Sequence, residues 1–386
     1  MRPDEDRDYL AEHDRYVALR VEPGLPPDAN GTRIVTRHED VGQALKQVED
    51  FGGSMGYNPD LPEEEQILPS IPEPRHGVIR RVINGVIAPH RLKPVEPYVR
   101  ELTQAILSAI ATGEAVDVVP ALVDPIPCRA MTFTFGIPER DSDTFQRLSD
   151  ELIGDQAAIV SNGIGGIHPE FTALVDEIVA ARRAEAEPPD DVLTRLIQAD
   201  MDGEPLSPIA VRTQMMILIL AGNETTRNLL GNLLYSLARA PELFAELRRD
   251  PATVADALID ESLRLDAPVQ MLFRTCLQPT AIHDTKLEAG DVVQLCLGSA
   301  NRDEAKFDDP DEFRLGRDNS REHLSFGVGP HVCPGATLAR MEARVVLEEL
   351  ASRVAAIRMV TDQPPEFREF FVVRGLSHLW LELDPA

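Results

Sequence analysis

The sequence predicts a mainly α-helical fold with a minor β region, and three observations carry that prediction. Apolar residues recur at helical spacing through most of the 386 residues, three short stretches alone have strand character, and one helical segment near the middle continues for about 32 residues. In chain order, Thr32 to Thr36 is the first strand, rich in β-branched side chains. His38 to Glu49 follows as a helix, with Val41, Ala44, Leu45 and Val48 on one face. Arg91 to Ala111, Asp141 to Ala157, Glu170 to Glu185 and Asp190 to Asp200 show the same period. The long helix opens at Ser207, an N-cap residue, with Pro208 at the first helical position. It runs to about Arg239, before Pro241, and at 1.5 Å per residue spans roughly 48 Å. So long a helix with so apolar a middle is buried on most sides. Val292 to Leu297 and Phe371 to Leu383 are the later strands, and Ala336 to Leu350 is a helix between them.

Composition narrows the class. The chain is 43% hydrophobic, enough for a sizeable core, and carries a formal charge of −27, which excludes non-specific binding to nucleic acid. The start, Met1-Arg2-Pro3-Asp4-Glu5-Asp6-Arg7-Asp8, is charged and lacks the apolar core of a signal peptide. No apolar run reaches the length of a membrane span, the longest being Met215 to Leu220. A soluble, cytoplasmic protein is expected. The four cysteines lie apart, at 128, 276, 296 and 333, without a C-x-x-C pair, so no disulfide framework is expected. No repeat or flexible linker divides the chain, and residues 1–386 are read as one domain, expected to be a monomer. One stretch departs from the acidic trend: Pro74 to Val95 has no acid, but contains Arg75, Arg80, Arg81, Arg91 and Lys93.

Cys333 lies in Phe326-Gly327-Val328-Gly329-Pro330-His331-Val332-Cys333-Pro334-Gly335, immediately before a helix. The glycines permit tight turns and close approach to a flat ligand. The helix start aims N–H groups and partial positive charge at the sulfur, favouring thiolate. A single Cys ligand suits a haem iron, whose in-plane ligands come from the porphyrin. Cys-X-Gly alone is compatible with a buried free cysteine in a turn. With Phe326, Gly327, Gly329, His331 and Gly335 at these spacings, the stretch resembles the haem-binding loop of the cytochrome P450 superfamily, in its soluble bacterial form.

Other motifs agree with that resemblance. The long helix contains Ala221-Gly222-Asn223-Glu224-Thr225-Thr226. Glycine in mid-helix costs about 1 kcal/mol against alanine, so something approaches the backbone there. Thr225 can bond back to the Ala221 carbonyl and bend the helix. In the family this acid–alcohol pair lies on the distal side of the haem. Glu261 and Arg264 match the E-x-x-R motif, and Arg317 matches the arginine that completes its structural network. His76 and Arg80, one helical turn apart, together with Arg274 and His323, stand at family positions for haem propionates. Two departures occur: Pro72-Glu73-Pro74 replaces Asp-Pro-Pro, and Ile87 replaces a phenylalanine.

The resemblance implies a P450 fold, with the long helix over haem b (iron protoporphyrin IX) and the Cys loop beneath it. It implies a monooxygenase that inserts one atom of O₂ into a C–H bond. Cys333 would be the axial iron ligand. Phe326, Gly327, His331, Gly335, Ala221 and Gly222 would complete the haem site. Thr225 would bond the distal oxygen and Glu224 relay protons to it. By position, Met55, Tyr57, Ile67, Leu68, Leu218, Gln270, Met271, Leu272, Val372 and Val373 would face substrate. They are mainly apolar, so the expected substrate is a compact hydrophobic molecule of terpenoid, steroid or polyketide-like type. Electrons would come from a small acidic ferredoxin or flavodoxin-type protein docking at Arg81, Arg91 and Lys93, with Arg340 and Arg344 extending the patch. A peroxide-driven enzyme would not need Glu224-Thr225, and a haem-thiolate sensor would be expected to carry a partner domain.

Overall fold

Helices account for most of the chain, as its spacing predicts. The computed structural model describes residues 7–22, 24–52, 60–138, 141–153, 168–201, 203–368 and 372–386. The long helix is Pro208–Arg239, and the Ser207 hydroxyl accepts the Ala210 N–H at 3.1 Å, which makes it the expected N-cap. Among the helices that pack on it are Pro125–Phe135, Pro169–Ala184, Pro251–Leu265 and Ala336–Arg353. Helix Val95–Ile110 lies against the last of these. The largest apolar core fills the space between these helices. Among the described residues, no helix is long and apolar enough to cross a membrane.

A four-stranded sheet runs in the order Arg33–Val35, Val292–Cys296, Met271–Cys276, Phe51–Gly52, its first pair parallel and the others antiparallel. Its apolar face covers a second, smaller core with Val41, Leu45 and Leu324. Each aliphatic side chain buried there contributes about 1.5–3 kcal/mol. Val354–Met359, Trp380–Pro385 and Ala115–Asp117 make an antiparallel three-stranded sheet.

Several boundaries differ from the sequence reading, each for a local reason. The stretch Phe371 to Leu383 is two strands, Leu376–His378 and Trp380–Pro385, in different sheets. Between them the Leu379 N–H turns to the Asp117 carboxylate, at 3.0 Å. Phe371 itself lies outside the described residues, as do residues 154–157 of the helix read from Asp141. Arg91 to Ala111 becomes a helix at Val95, because Pro94 occupies the N-cap. Asp190 to Asp200 closes at Ile197, and Asp200–Met201 pairs with Glu204–Pro205 instead. Helices Arg7–Val21, Pro125–Phe135 and Pro241–Arg249 are additions to that reading.

The helix Pro251–Leu265 carries the Glu261–Arg264 pair, joined at 2.9 and 2.8 Å. Arg317 adds a third arm at 3.1 Å, and Glu261 also accepts the Arg314 N–H at 3.0 Å. Arg264 in turn donates to the carbonyls of Asn301, Pro310 and Glu312, at 3.0, 2.7 and 3.0 Å. All three side chains are buried, at 1% exposure or less. This single carboxylate therefore fastens the helix to residues 301–317, the connection leading to the Cys loop. Glu261→Ala would leave two buried guanidiniums without their acid, a loss of about 3–5 kcal/mol. The midpoint of urea unfolding is expected to fall accordingly; an unchanged midpoint would show that the network carries no stability.

Candidate active site

The loop from Phe326 to Gly335 is shaped by its glycines. Gly327 and Gly329 have φ of +65° and +79°, the left-handed region that side chains avoid. A Cβ on Gly329 would also stand 3.0 Å from the Leu45 carbonyl oxygen, so the loop rests directly on the helix His38–Lys46. The Cys333 N–H donates to the Phe326 carbonyl at 2.8 Å and the Gly327 N–H to Leu324 at 2.8 Å, closing the turn. Ser325 ties the loop to the preceding helix, its hydroxyl donating to the Leu263 carbonyl at 2.5 Å and accepting from Asn301 at 2.8 Å.

Two influences oppose each other at the sulfur. N–H groups of Gly335 and Ala336 and the charge of Arg80 do favour thiolate. Burial nevertheless outweighs them and pushes the Cys333 thiol up.

A cavity of about 300 Å³ opens between this loop and the long helix. Its floor includes Phe326, Gly327, His331, Cys333 and Gly335; across from them stand Leu218, Ala221, Gly222 and Thr225. The Thr225 hydroxyl donates to the Ala221 carbonyl at 2.7 Å, the back-bond its position in the sequence allows. Glu224 is buried at 5% exposure but is not part of the wall; it sits on the adjoining helix face.

Basic side chains collect along the cavity wall. His76 and Arg80, on the helix Arg75–Val86, and Arg274, on the strand Met271–Cys276, all line it. Arg274 is buried and donates to its neighbour's carbonyl, Phe273, at 2.8 Å; among the described residues no acid pairs with it. Burial alone pushes its guanidinium down to about 10. His76 is held through Nδ1 by Glu73 at 2.9 Å, while its buried Nε2 has no partner among the described residues. His331 stacks on the His76 ring at 3.9 Å, and burial pushes it down to about 4. Arg80 donates to the Val332 carbonyl. Spare buried donors at the wall, apolar sides and one cysteine at the floor fit a haem: an anionic edge, a flat apolar body and an iron. Glu73, in the sequence only a departure from a pattern, orients His76 and also accepts the Gly77 N–H at 3.1 Å.

His323 is placed elsewhere. Its Nδ1 accepts the Ser325 N–H at 3.2 Å and its Nε2 faces Arg340 at 3.4 Å, so both nitrogens are engaged beneath the loop. Of the expected substrate residues, Leu68, Leu218 and Leu272 line the cavity, and Ile67, Gln270, Met271, Val372 and Val373 do not. Strand alternation turns Met271 away when Leu272 faces in. Gln270 donates to Ala267 at 2.6 Å and fills the space a side chain on Gly298 would need. The Val372 carbonyl accepts the Gln270 N–H at 2.8 Å, and Val373 forms an isolated bridge with Val269, which engages that turn with residues 269–270. Ile67 packs on the main core. Met55 and Tyr57 lie outside the described residues. Met131, Phe135, Leu92 and Val269 also line the wall. Of these only Val269 stands in a segment to which the sequence points.

Comparison with known proteins places this geometry among relatives. The sequence model of the family described as Cytochrome P450 matches residues 164–374. Cytochrome P450 107B1 of Saccharopolyspora erythraea is 32% identical over 95% of this chain and 94% of its own length. Steroid C26-monooxygenase of Mycobacterium tuberculosis is 32% identical over 96% of this chain and 93% of its own. Among solved structures, cytochrome P450 CYP109Q5 from Chondromyces apiculatus superposes with a TM-score of 0.86, at 30% identity, over 99% of this chain and 97% of that one. CYP109E1 from Bacillus megaterium in complex with testosterone gives 0.85, at 28% identity, over 96% of this chain and 98% of that one.

The engaged, buried His323 generates a pH prediction for the protein free of cofactor. Burial, with Arg340 and Arg264 adding to it and Asp260 opposing, holds His323 down to about 4. The unfolded chain binds this proton near pH 6.5 and the folded chain near 4, so stability falls as pH drops through that window. Denaturant unfolding between pH 7 and 4 should show this loss, and His323→Gln should reduce it, the part due to His331, also held down to about 4, remaining. An equal slope in the variant would assign the effect to other groups.

Proposed function

This chain belongs to the cytochrome P450 family and is a monooxygenase, and on that footing we propose that it oxidises a compact hydrophobic molecule at a C–H bond, using haem b held by Cys333. When bound, the haem supplies the reductive activation of O₂, one atom going to substrate and the other to water. The sulfur of Cys333 would hold the iron from beneath, and Arg274, Arg80, His76 and His331 would hold the cofactor's carboxylates. The observation that carries the reading is the cavity itself: a cysteine floor, cationic flanks, and an apolar opposite wall broken by the Thr225 hydroxyl.

Thr225 would act through its Oγ. In the structure that hydroxyl donates to Ala221; turned toward the cavity, it would hold a proton beside the reacting oxygen. Glu224, buried one residue away, would replenish that proton. Leu68, Leu218, Leu229, Val269 and Leu272 would orient the substrate by contact and exclude water. Among the described residues no carboxylate lines the cavity, so a neutral apolar substrate fits better than a cationic one. A steroid, terpenoid or polyketide-like skeleton is supported by relatives named for such molecules, Steroid C26-monooxygenase and Erythromycin C-12 hydroxylase.

Electrons would arrive from a separate small acidic iron–sulfur or flavin protein. Several of the basic residues expected at its docking surface are engaged within the chain. Arg91 faces Asp190 at 3.7 Å, Arg340 pairs with Asp260 at 2.5 Å, and Arg344 faces Asp256 at 3.5 Å. Arg81 and Lys93 are exposed and have no ion pair among the described residues, so the docking patch reduces to them. Screening over about 8 Å at physiological salt lets these near charges outweigh the distant acidic surface.

Thr225→Ala tests the oxygen chemistry. Reducing equivalents should still be consumed, with product falling and hydrogen peroxide rising; unchanged product per electron would remove Thr225 from the mechanism. Charge reversal at Arg81 and Lys93 should slow reduction by the donor and weaken its salt dependence, with substrate affinity unaltered. Reduction at the wild-type rate at low salt would move the docking surface elsewhere.

A further inference from the structure

The imidazole of His76 has one nitrogen taken and one spare. The residue is 1% exposed and belongs to the cavity wall. Its Nδ1 meets the Glu73 carboxylate at 2.9 Å, and the His331 ring stacks on it at 3.9 Å. The other carboxylate oxygen of Glu73 accepts the Gly77 N–H at 3.1 Å, which fixes the acid at the first turn of the helix Arg75–Val86. Burial raises Glu73, yet the hydrogen bonds from His76 and Gly77 outweigh it and keep the carboxyl below its ordinary range. Glu73 is therefore an acceptor.

An acceptor at Nδ1 fixes where the ring keeps its first proton. A neutral imidazole has a single N–H, so with that proton facing Glu73 its Nε2 carries only a lone pair. Nε2 is the buried atom that has no partner among the described residues. A lone pair meeting a carboxylate sets two acceptors together without a hydrogen, and Glu73 adds a second negative charge behind the ring. The contact forms when Nε2 also carries a proton, which makes the ring a cation between two acids. Arg80, Arg274 and His331 are the other charged or titratable groups around the two rings. The rest are engaged elsewhere: Arg75 turns to Glu63 at 2.5 Å. On elements packed against the helix, Arg195 donates to the Val86 carbonyl at 3.2 Å and Asp200 accepts the Gly203 N–H at 2.7 Å.

We propose that Glu73 is a positioning residue for the cofactor, fixing His76 so that a haem carboxylate binding at Nε2 draws one proton from solution. The inference rests on the reading above that His76 holds such a carboxylate. Neutral His76, the carboxylate and one H⁺ give an imidazolium–carboxylate pair; one N–H bond forms and no electron moves. This contribution to haem affinity is present at low pH and is lost as pH rises. Glu73→Gln keeps an oxygen for the Gly77 N–H and offers Nδ1 a donor, so neutral His76 then carries its only proton on Nε2 and binds without uptake.

The test mixes the ferric, haem-loaded protein with apomyoglobin as a competing haem acceptor, from pH 6 to 9, and reads the haem retained. It compares wild type, Glu73→Gln, His76→Leu and the double variant Glu73→Gln/His76→Leu. The proton that Cys333 gives up on bonding iron enters all four alike and cancels in the ratios. Retention by the wild type relative to Glu73→Gln should fall as pH rises, by up to about tenfold per unit for one proton. His76→Leu should hold haem less well, and adding Glu73→Gln to it should leave the shape of its pH profile unaltered. A constant ratio of wild type to Glu73→Gln, with His76→Leu weakened, would overturn this inference alone. So would a double variant whose profile differs in shape from that of His76→Leu, because Glu73 would then act through another group such as His331. Wild-type retention in His76→Leu at every pH would overturn it together with the reading beneath it.

Discussion

Glu261 holds two guanidiniums away from water, and the placement of the Cys loop depends on it. Arg264 and Arg317 reach it from different parts of the chain, and each also gathers backbone carbonyls from residues 301–312. A buried ion cluster of this kind is a weak source of net stability, because desolvation offsets the attraction. Its value lies in the penalty for displacing any one member: an uncompensated buried charge is costly, so the arrangement has one register. Through Asn301, Ser325 and Leu324 that register passes to the turn that presents Cys333. The loop glycines then complete a shape that side chains would forbid.

The second dependence is electrostatic, and it runs between cofactor and protein in both directions. Among the described residues no acid pairs with the buried Arg274, and desolvation at the cavity floor pushes the Cys333 thiol up. Each is unfavourable on its own terms, and each is relieved by one part of a haem, carboxylate in one case and iron in the other. Glu73 and the stacked His76 and His331 rings set the positions of neighbouring donors. The site is thus specified by mismatched burial as much as by the motif around the cysteine.

How much of this is legible in the sequence depends on whether a residue acts locally. Ser207 and Pro208 mark the start of the long helix because capping is decided within one turn. Gly327, Gly329 and Cys333 identify the loop because left-handed turns and a single thiolate need particular residues at close spacing. Thr225 bonding back to Ala221 is likewise an i to i−4 property. Gln270, Met271, Val372 and Val373 stand in the right segments and still miss the cavity, since strand alternation and one bridge to Val269 decide which side they face. Glu73 reads as a departure from a pattern, yet its carboxylate orients His76. Met131 and Phe135 give no signal, because a helix crossing joins positions about ninety residues apart and leaves no periodic trace. His323 has the right spacing but spends both nitrogens beneath the loop.

Everything proposed about the chemistry passes through the bond between Cys333 and iron. The reduced protein under carbon monoxide reports that bond directly, through the red-shifted haem band given by thiolate ligation. The account requires this band in the wild type and its loss in Cys333→Ser, with secondary structure retained. A wild type without the band, or a Cys333→Ser variant that keeps it, would contradict the assignment of Cys333 as the ligand.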